Sequence, residues 1–194
     1  MLETLRQWDR DLLIFLNNLG TSTFDGFWVF VTKIESWTPL FLFFAIILFY
    51  YFGKRKGIKA FFWTLITFAI TLFLTDGTKL WVERLRPNNV TDLAEQLRVL
   101  QFPDTFSFFS GHASTSFAIT TFMVLLLRPF TKWIYLAYLW PLLFCTSRIY
   151  VGVHYPFDIL VGALVGTLLA VLSFRLYKFY IRKDPGSPQS QASS

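Results

Sequence analysis

The chain holds one cysteine, Cys145, set inside an apolar run. Neither an internal disulfide nor a thiolate metal cluster is therefore available to it, and the lone thiol fits a buried apolar position. Histidine is almost as scarce, with His112 and His154 the whole complement. No grouping of His, Asp and Glu along the chain marks a dedicated metal site, so neither a metal nor another cofactor is expected. Charge is thin too: 15% of the 194 residues, beside 54% hydrophobic and 20% aromatic. Soluble domains carry roughly 25% charged and about 45–50% apolar residues. A water-soluble globule does not fit that balance, and a mean hydropathy of +0.48 assigns the surplus apolar surface to lipid. Met1–Asp11 mixes both signs of charge too closely for a cleavable signal peptide.

What is present begins with five apolar runs: Thr38–Gly53, Ala60–Thr78, His112–Leu127, Trp133–Ser147 and Phe157–Tyr177. A helical bilayer crossing takes about 20 apolar residues, with roughly 17 at the lower end. Trp37, Trp81 and Trp133 lengthen the shorter runs as interfacial ends. The expected fold class is all-α: a polytopic membrane helix bundle of five spanning helices, forming a single domain over residues 1–182. The first 36 residues are interrupted by Asn17, Asn18, Gly20, Thr21, Ser22 and Asp25. They read as an amphipathic helix, a turn and a second short helix at the interface, with a sixth crossing as the alternative. Residues 183–194, rich in Ser, Pro, Gln and Gly, read as a disordered tail. Gly162 and Gly166 carry the spacing of close helix approach and point to packing within the bundle, with dimerisation the alternative. The oligomeric state stays open.

The net charge of +6 is placed, not spread. Lys54, Arg55, Lys56 and Lys59 separate the first two runs, Arg128 and Lys132 bound a later connection, and Arg175, Lys178, Arg182 and Lys183 follow the last run. Basic residues so arranged flank membrane spans on the cytoplasmic side and do not build a nucleic-acid face. The connections 83–110 and 148–156 then lie on the opposite side. An integral protein of the bacterial cytoplasmic membrane is expected, with these two connections outside.

Ionisable residues near spans are costly and therefore informative. Asp76, Lys79, Glu83 and Arg86 are spaced to share one helical face at the end of the second run; a salt-bridged stripe at the membrane edge would look the same. Both histidines fall at the outer ends of runs. His112 closes Ser110-Gly111-His112, where Ser110 suits a helix N-cap and the Gly111 and His112 amides would point at an anion. Pro156 suits the first turn of the last helix, which sets Asp158 beside His154. There it could accept from one imidazole nitrogen and leave the other as a nucleophile. Tyr150 and Tyr155 read as interface aromatics.

Lys79-x6-Arg86-Pro87, Ser110-Gly111-His112 and Ser147-Arg148-x5-His154-x3-Asp158 together resemble the three-part signature of the type 2 phosphatidic acid phosphatase superfamily, with all three internal spacings kept. One position departs: Phe109 stands where the family has proline before Ser-Gly-His. The resemblance implies a metal-free lipid phosphatase in which His154 is the nucleophile and Asp158 orients it. His112 would protonate the leaving oxygen and then activate water. Lys79, Arg86, Arg148, Ser110 and Gly111 would bind the phosphoryl oxygens, with Glu83 and Asp76 supporting the cations. The implied partner is a lipid phosphate in the bilayer: undecaprenyl pyrophosphate, phosphatidylglycerol phosphate, phosphatidic acid or lipid A 1-phosphate. A lipid phosphotransferase using the same intermediate, or a silent membrane scaffold, is the alternative.

Overall fold

In a computed structural model, residues 1–182 are described; the disordered-tail expectation for residues 183–194 lies outside them. Among the described residues the fold is all helical, running α1 (Leu2–Asn18), α2 (Asp25–Val31), α3 (Thr38–Val82), α4 (Thr91–Ala94), α5 (Gly111–Leu127), α6 (Leu139–Tyr150) and α7 (Pro156–Arg182). Among the described residues two stretches are long and apolar enough to cross a bilayer, Ile34–Asn89, which contains α3, and Pro156–Ile181 of α7, and Gly111–Leu127 is a shorter apolar helix.

The assignment of α3 as one helix hides a reversal. Gly53 takes φ 65° and ψ 177°, outside helical space, in the left-handed range that glycine adopts at little cost. A Cβ on Gly57 would sit 3.3 Å from Cα of Phe49, whereas a straight helix separates those residues by about 12 Å. Residues 38–52 and 54–82 are thus two limbs folded against each other. The basic linker expected between two runs is this turn. Tyr51 stacks on Phe130 just past α5 and Phe52 meets the same ring edge-on, and Lys59 lies over Tyr180 near the end of α7. The basic segments therefore gather at one end of the bundle.

Close approach of α5, α7 and the second limb of α3 rests on small and hydroxylated residues. A Cβ on Gly162 would meet the Ser110 carbonyl at 2.7 Å, and one on Gly166 would overlap the Ser114 carbonyl. The Gly162 and Gly166 pair therefore packs within the bundle, against α5. On the facing limb Thr67, Thr71 and Thr75 are buried and each donates its hydroxyl to the carbonyl four residues earlier, which hides the polar atom from apolar surroundings. Thr75 also bonds Ser114 at 2.8 Å and Thr67 bonds Ser173 at 2.5 Å. Outward, Leu164, Leu168, Leu172 and Leu176 form an exposed apolar stripe on α7, the surface a lipid-facing helix presents.

The run Trp133–Ser147 divides. Lys132–Tyr138 is a 3-10 segment, and α6 starts only at Leu139. Pro141 lacks an N–H and its ring crowds the carbonyl four residues back, so the α-helix cannot extend further upstream.

Residues 1–36 do form an amphipathic helix, a turn and a short helix, and they cap the end of the bundle opposite the basic turn. Helix α1 has two faces. Leu5, Trp8, Leu12, Phe15 and Leu19 are exposed at helical spacing, while Asp9, Leu13 and Asn17 face the bundle. Asn17, fully buried, donates to the carbonyls of Arg98, Ile149 and Tyr150 and accepts from the Arg98 amide. Arg98 grips Asp25 through both carboxylate oxygens, which holds the Asp25 carboxyl below its usual range. Tyr150 is buried rather than interfacial: its hydroxyl donates to the Thr21 carbonyl and Asp25, and its ring stacks on Trp28.

Candidate active site

Three stretches reach the capped end by different local rules. The second limb of α3 stops at Val82, and Glu83 adopts left-handed φ 51° and ψ 30°. Arg86 is extended at φ −71° and ψ 155°, as the residue before a proline must be to avoid the ring. Lys79, one turn before the end, stays on the helix with Nζ 3.6 Å from Asp76. Ser110 caps α5, its side chain accepting from the Ala113 amide and its own amide donating to the Asp158 carbonyl at 3.1 Å. Gly111 then faces Lys79, whose Nζ would lie 3.4 Å from a Cβ there. Arg148 leaves the last turn of α6, and Pro156 opens α7.

His154 is the hub. Its Nε2 lies 3.0 Å from Arg86 Nη1, and its Nδ1 lies 3.4 Å from Asp158 Oδ2. Arg86 is held as a fork: Nε donates to the Thr105 carbonyl, Nη2 to the Thr105 hydroxyl and Nη1 also to the Val153 carbonyl. Burial brings the Arg86 pKa down to about 10, so it stays cationic. Burial, reinforced by Arg86, Arg148, Lys79 and Arg84, drives the His154 pKa well below the usual imidazole value. A neutral ring results, as a nitrogen nucleophile requires.

Arg148, also buried, donates to Thr32 and to Gln101 at 2.9 Å, and its Nε has no hydrogen-bond partner. His112 is half-buried with its ring 4.5 Å from that of Phe144. It lies within electrostatic reach of Arg148, His154 and Arg86. Lys79 likewise senses Arg86 and Arg148. All eight residues named from the motifs, Lys79, Arg86, Ser110, Gly111, His112, Arg148, His154 and Asp158, are therefore brought to one end of the bundle around His154. Three cations face two imidazoles.

Besides Tyr150, two expectations need correction. Asp76, Lys79, Glu83 and Arg86 do not form one helical stripe, because the helix ends before Arg86. Glu83 is exposed at that break, and the cation support it was expected to give comes from Thr105 and Val153 carbonyls instead. Tyr155 is not an interface aromatic either: it is 3% exposed, with the Arg84 guanidinium 3.7 Å above its ring.

Several contributors are absent from the motif reading. Ser107 donates to Asp158 Oδ2, and the Tyr155 amide donates to the same oxygen at 3.3 Å. Arg84 donates to Asp158 Oδ1 at 2.6 Å and to Asp9 at 2.8 Å. Thr32 and Gln101 hold Arg148. Only Arg84 carried a signal: with the helix ending ahead of Pro87, residues 84 and 86 point the same way in extended chain.

The fold matches solved membrane enzymes. A transmembrane PAP2-type phosphatidylglycerolphosphate phosphatase from Bacillus subtilis superposes with a TM-score of 0.67 at 24% identity, covering 93% of this chain and 88% of that one. LpxE from Aquifex aeolicus gives 0.62 at 25%, covering 85% and 93%. Among sequences, an undecaprenyl-diphosphatase from Sulfolobus acidocaldarius is 30% identical over 86% of this chain and 77% of its own length. A lipid A 4'-phosphatase from Bacteroides thetaiotaomicron is 30% identical over 86% and 75%. Fold and relatives together define a membrane hydrolase acting on phosphoric esters. The PAP2 superfamily pattern matches residues 60–182, and the chain belongs to that superfamily.

Proposed function

We propose that the chain removes phosphate from a lipid phosphomonoester or pyrophosphate through a phosphohistidine on His154, without a metal. The observation that carries this reading is the arrangement of Lys79, Arg86 and Arg148 around His154, with His112 beside them. Phosphoryl transfer needs positioning and charge stabilisation above all, and three cations supply the charge. His154 Nε2 gives its lone pair to phosphorus as the bond to the leaving oxygen breaks. With the anionic phosphate bound among the cations, His112 carries a proton and gives it to that oxygen. Water then attacks phosphorus and passes a proton to His112, the phosphorus–nitrogen bond breaks, and inorganic phosphate leaves. Asp158 stays ionised and offsets the positive ring of the intermediate. Ser110 and the Gly111 amide complete the oxygen cradle at the start of α5.

The lipid part of the reading is supported by a groove of about 660 Å³ beside the site, walled by Leu5, Trp8, Leu12, Leu85, Phe157 and Leu160. Five limbs, residues 38–52, 54–82, 111–127, 132–150 and 156–182, make five crossings, and the basic end faces the cytoplasm. The site then opens on the outer side of a bacterial cytoplasmic membrane. Residues 1–36 serve as an interfacial cap within a single domain. Substrates named for the relatives, undecaprenyl pyrophosphate and lipid A, stand first, with phosphatidylglycerol phosphate and phosphatidic acid after them.

Purified protein in detergent, given that panel beside soluble sugar phosphates, should release inorganic phosphate from a lipid, and His154→Ala and His112→Ala should each abolish release. Turnover of sugar phosphates alone, or near-normal activity in His154→Ala, would overturn the reading.

A further inference from the structure

Asp158 has no exposure, yet its surroundings extend beyond the motifs to the N-terminal helix. Its Oδ2 collects Ser107, the Tyr155 amide and His154. Its Oδ1 receives Arg84 at 2.6 Å. The other arm of that guanidinium donates to Asp9 of α1 at 2.8 Å, and the second oxygen of Asp9 accepts the Phe157 amide at 2.9 Å, in the first turn of α7. The guanidinium carbon lies over the Tyr155 ring, 3.7 Å from its centre. Arg84 is thereby fixed on three sides, and α1 is pinned to the helix that carries Asp158.

We infer that Arg84 and Asp9 are positioning residues for the reaction at His154: Arg84 keeps Asp158 ionised and aimed at Nδ1, and Asp9 tempers the charge Arg84 delivers. The inference rests on the phosphatase reading, in which Asp158 must be an anion beside a ring that becomes positive. A buried carboxylate without a cation takes up a proton instead. With Arg84 half shared by Asp9, Asp158 is stabilised as an anion but is still able to accept from the imidazole.

The two residues act with opposite sign, which separates positioning from mere support. The charged or titratable groups around the Asp158–His154 pair are Arg84 from the segment after α3, Tyr155 from the turn before α7, Asp9 of α1 through Arg84, and Arg86, Arg148, Lys79 and His112 around the His154 ring. Asp158 and His154 titrate as a pair. Arg84→Gln removes a cation, so both members hold protons to higher pH and the acid limb of kcat moves up. Asp9→Asn removes an anion, so the limb moves down.

The test uses the full chain in detergent, assayed for phosphate release from undecaprenyl pyrophosphate or phosphatidic acid across the acid and neutral range. Arg84→Gln should lower kcat by about 10- to 100-fold, as loss of a partner one step removed from the reacting group does elsewhere, with KM little changed and partial rescue in Arg84→Lys. Wild-type kcat and limb in Arg84→Gln would overturn the inference, as would limbs moving the same way in both variants. If Arg84→Gln loses its melting transition, Asp9→Asn decides alone, and an unmoved limb sinks the idea. Nitrogen NMR shifts of the His154 ring, assigned with His154→Ala, give the same comparison without substrate. Inactive wild type would thus refute the phosphatase reading while Arg84 and Asp9 were still tested.

Discussion

Nε2 of His154 lies 3.0 Å from Nη1 of Arg86. Arginine can only donate, so Nε2 holds the lone pair and Nδ1 the proton, turned towards Asp158 Oδ2. The tautomer of a phosphorus-attacking imidazole is therefore selected before substrate arrives. The same Arg86 N–H that covers the lone pair becomes free for a phosphoryl oxygen once the nitrogen turns to phosphorus.

Arg86→Lys should for this reason cost far more than a conservative exchange suggests. The guanidinium spends Nε and Nη2 on Thr105 and shares Nη1 between Val153 and His154. An ammonium has no such fork. A fall in kcat of about 100- to 1000-fold is expected, the usual cost of one lost oxyanion donor, and steady-state phosphate release measures it. A variant within threefold of wild type, on the order of measurement scatter for such effects, would contradict the role.

The depressed pKa of His154 also has a consequence for stability. The unfolded chain takes up a proton at this residue below the ordinary value of 6.5, while the folded chain resists until well below it. Between those limits the unfolded state binds more protons, so folding stability falls as pH drops. Melting in detergent should show a lower transition temperature in mild acid than at neutral pH, and His154→Gln should flatten part of that slope. An unchanged slope in the variant would assign the acid sensitivity elsewhere.

Asn17 makes a separate claim on stability. Its amide serves three carbonyls and one N–H that tie α1 to the segment around Arg98 and to the end of α6. Asn17→Ala leaves buried groups without partners, at a cost of about 1–3 kcal/mol. The expected readout is a lowered melting temperature with earlier proteolysis in residues 1–36. An unaltered melting curve would show that water replaces the amide without loss.

The motif residues were legible because their chemistry is rare in this chain: two imidazoles in 194 residues, each near the end of an apolar run. Ser110 and Pro156 likewise announced the starts of α5 and α7, since a cap and an N1 proline act locally. The end of α3 was misread because charges at helical spacing outweighed Pro87, although a proline forbids helix at the preceding residue. Treating Arg86 as extended would have put Arg84 in view. The inward face of α1 was not legible in the same way. Asp9 and Asn17 are polar residues on an amphipathic helix, and in a membrane protein the polar face can turn to water or to a buried hydrogen-bonding site. Only the approach of Phe157, Arg84 and Tyr150 decides between them, and those contacts span 75 to 148 residues of chain.

Glycine substitutions separate crowding at α5 from helix propensity. A Cβ on Gly166 would overlap the Ser114 carbonyl, and one on Gly162 would fall 2.7 Å from the Ser110 carbonyl, while a Cβ on Gly77 meets nothing within 4 Å. The obstacles at α5 are backbone atoms, so α7 itself must move. Gly166→Ala should destabilise by about 1–3 kcal/mol, the range for overpacked sites. Gly162→Ala should also reduce kcat, because Ser110 caps the helix that begins with Gly111 and His112. Gly77→Ala, exposed on α3, should be neutral or stabilise by up to about 1 kcal/mol through helix propensity alone. Thermal melts of the three variants beside their phosphate release provide the comparison. Equal melting temperatures for Gly166→Ala and Gly77→Ala would mean that α5 and α7 do not approach as closely as the fold requires.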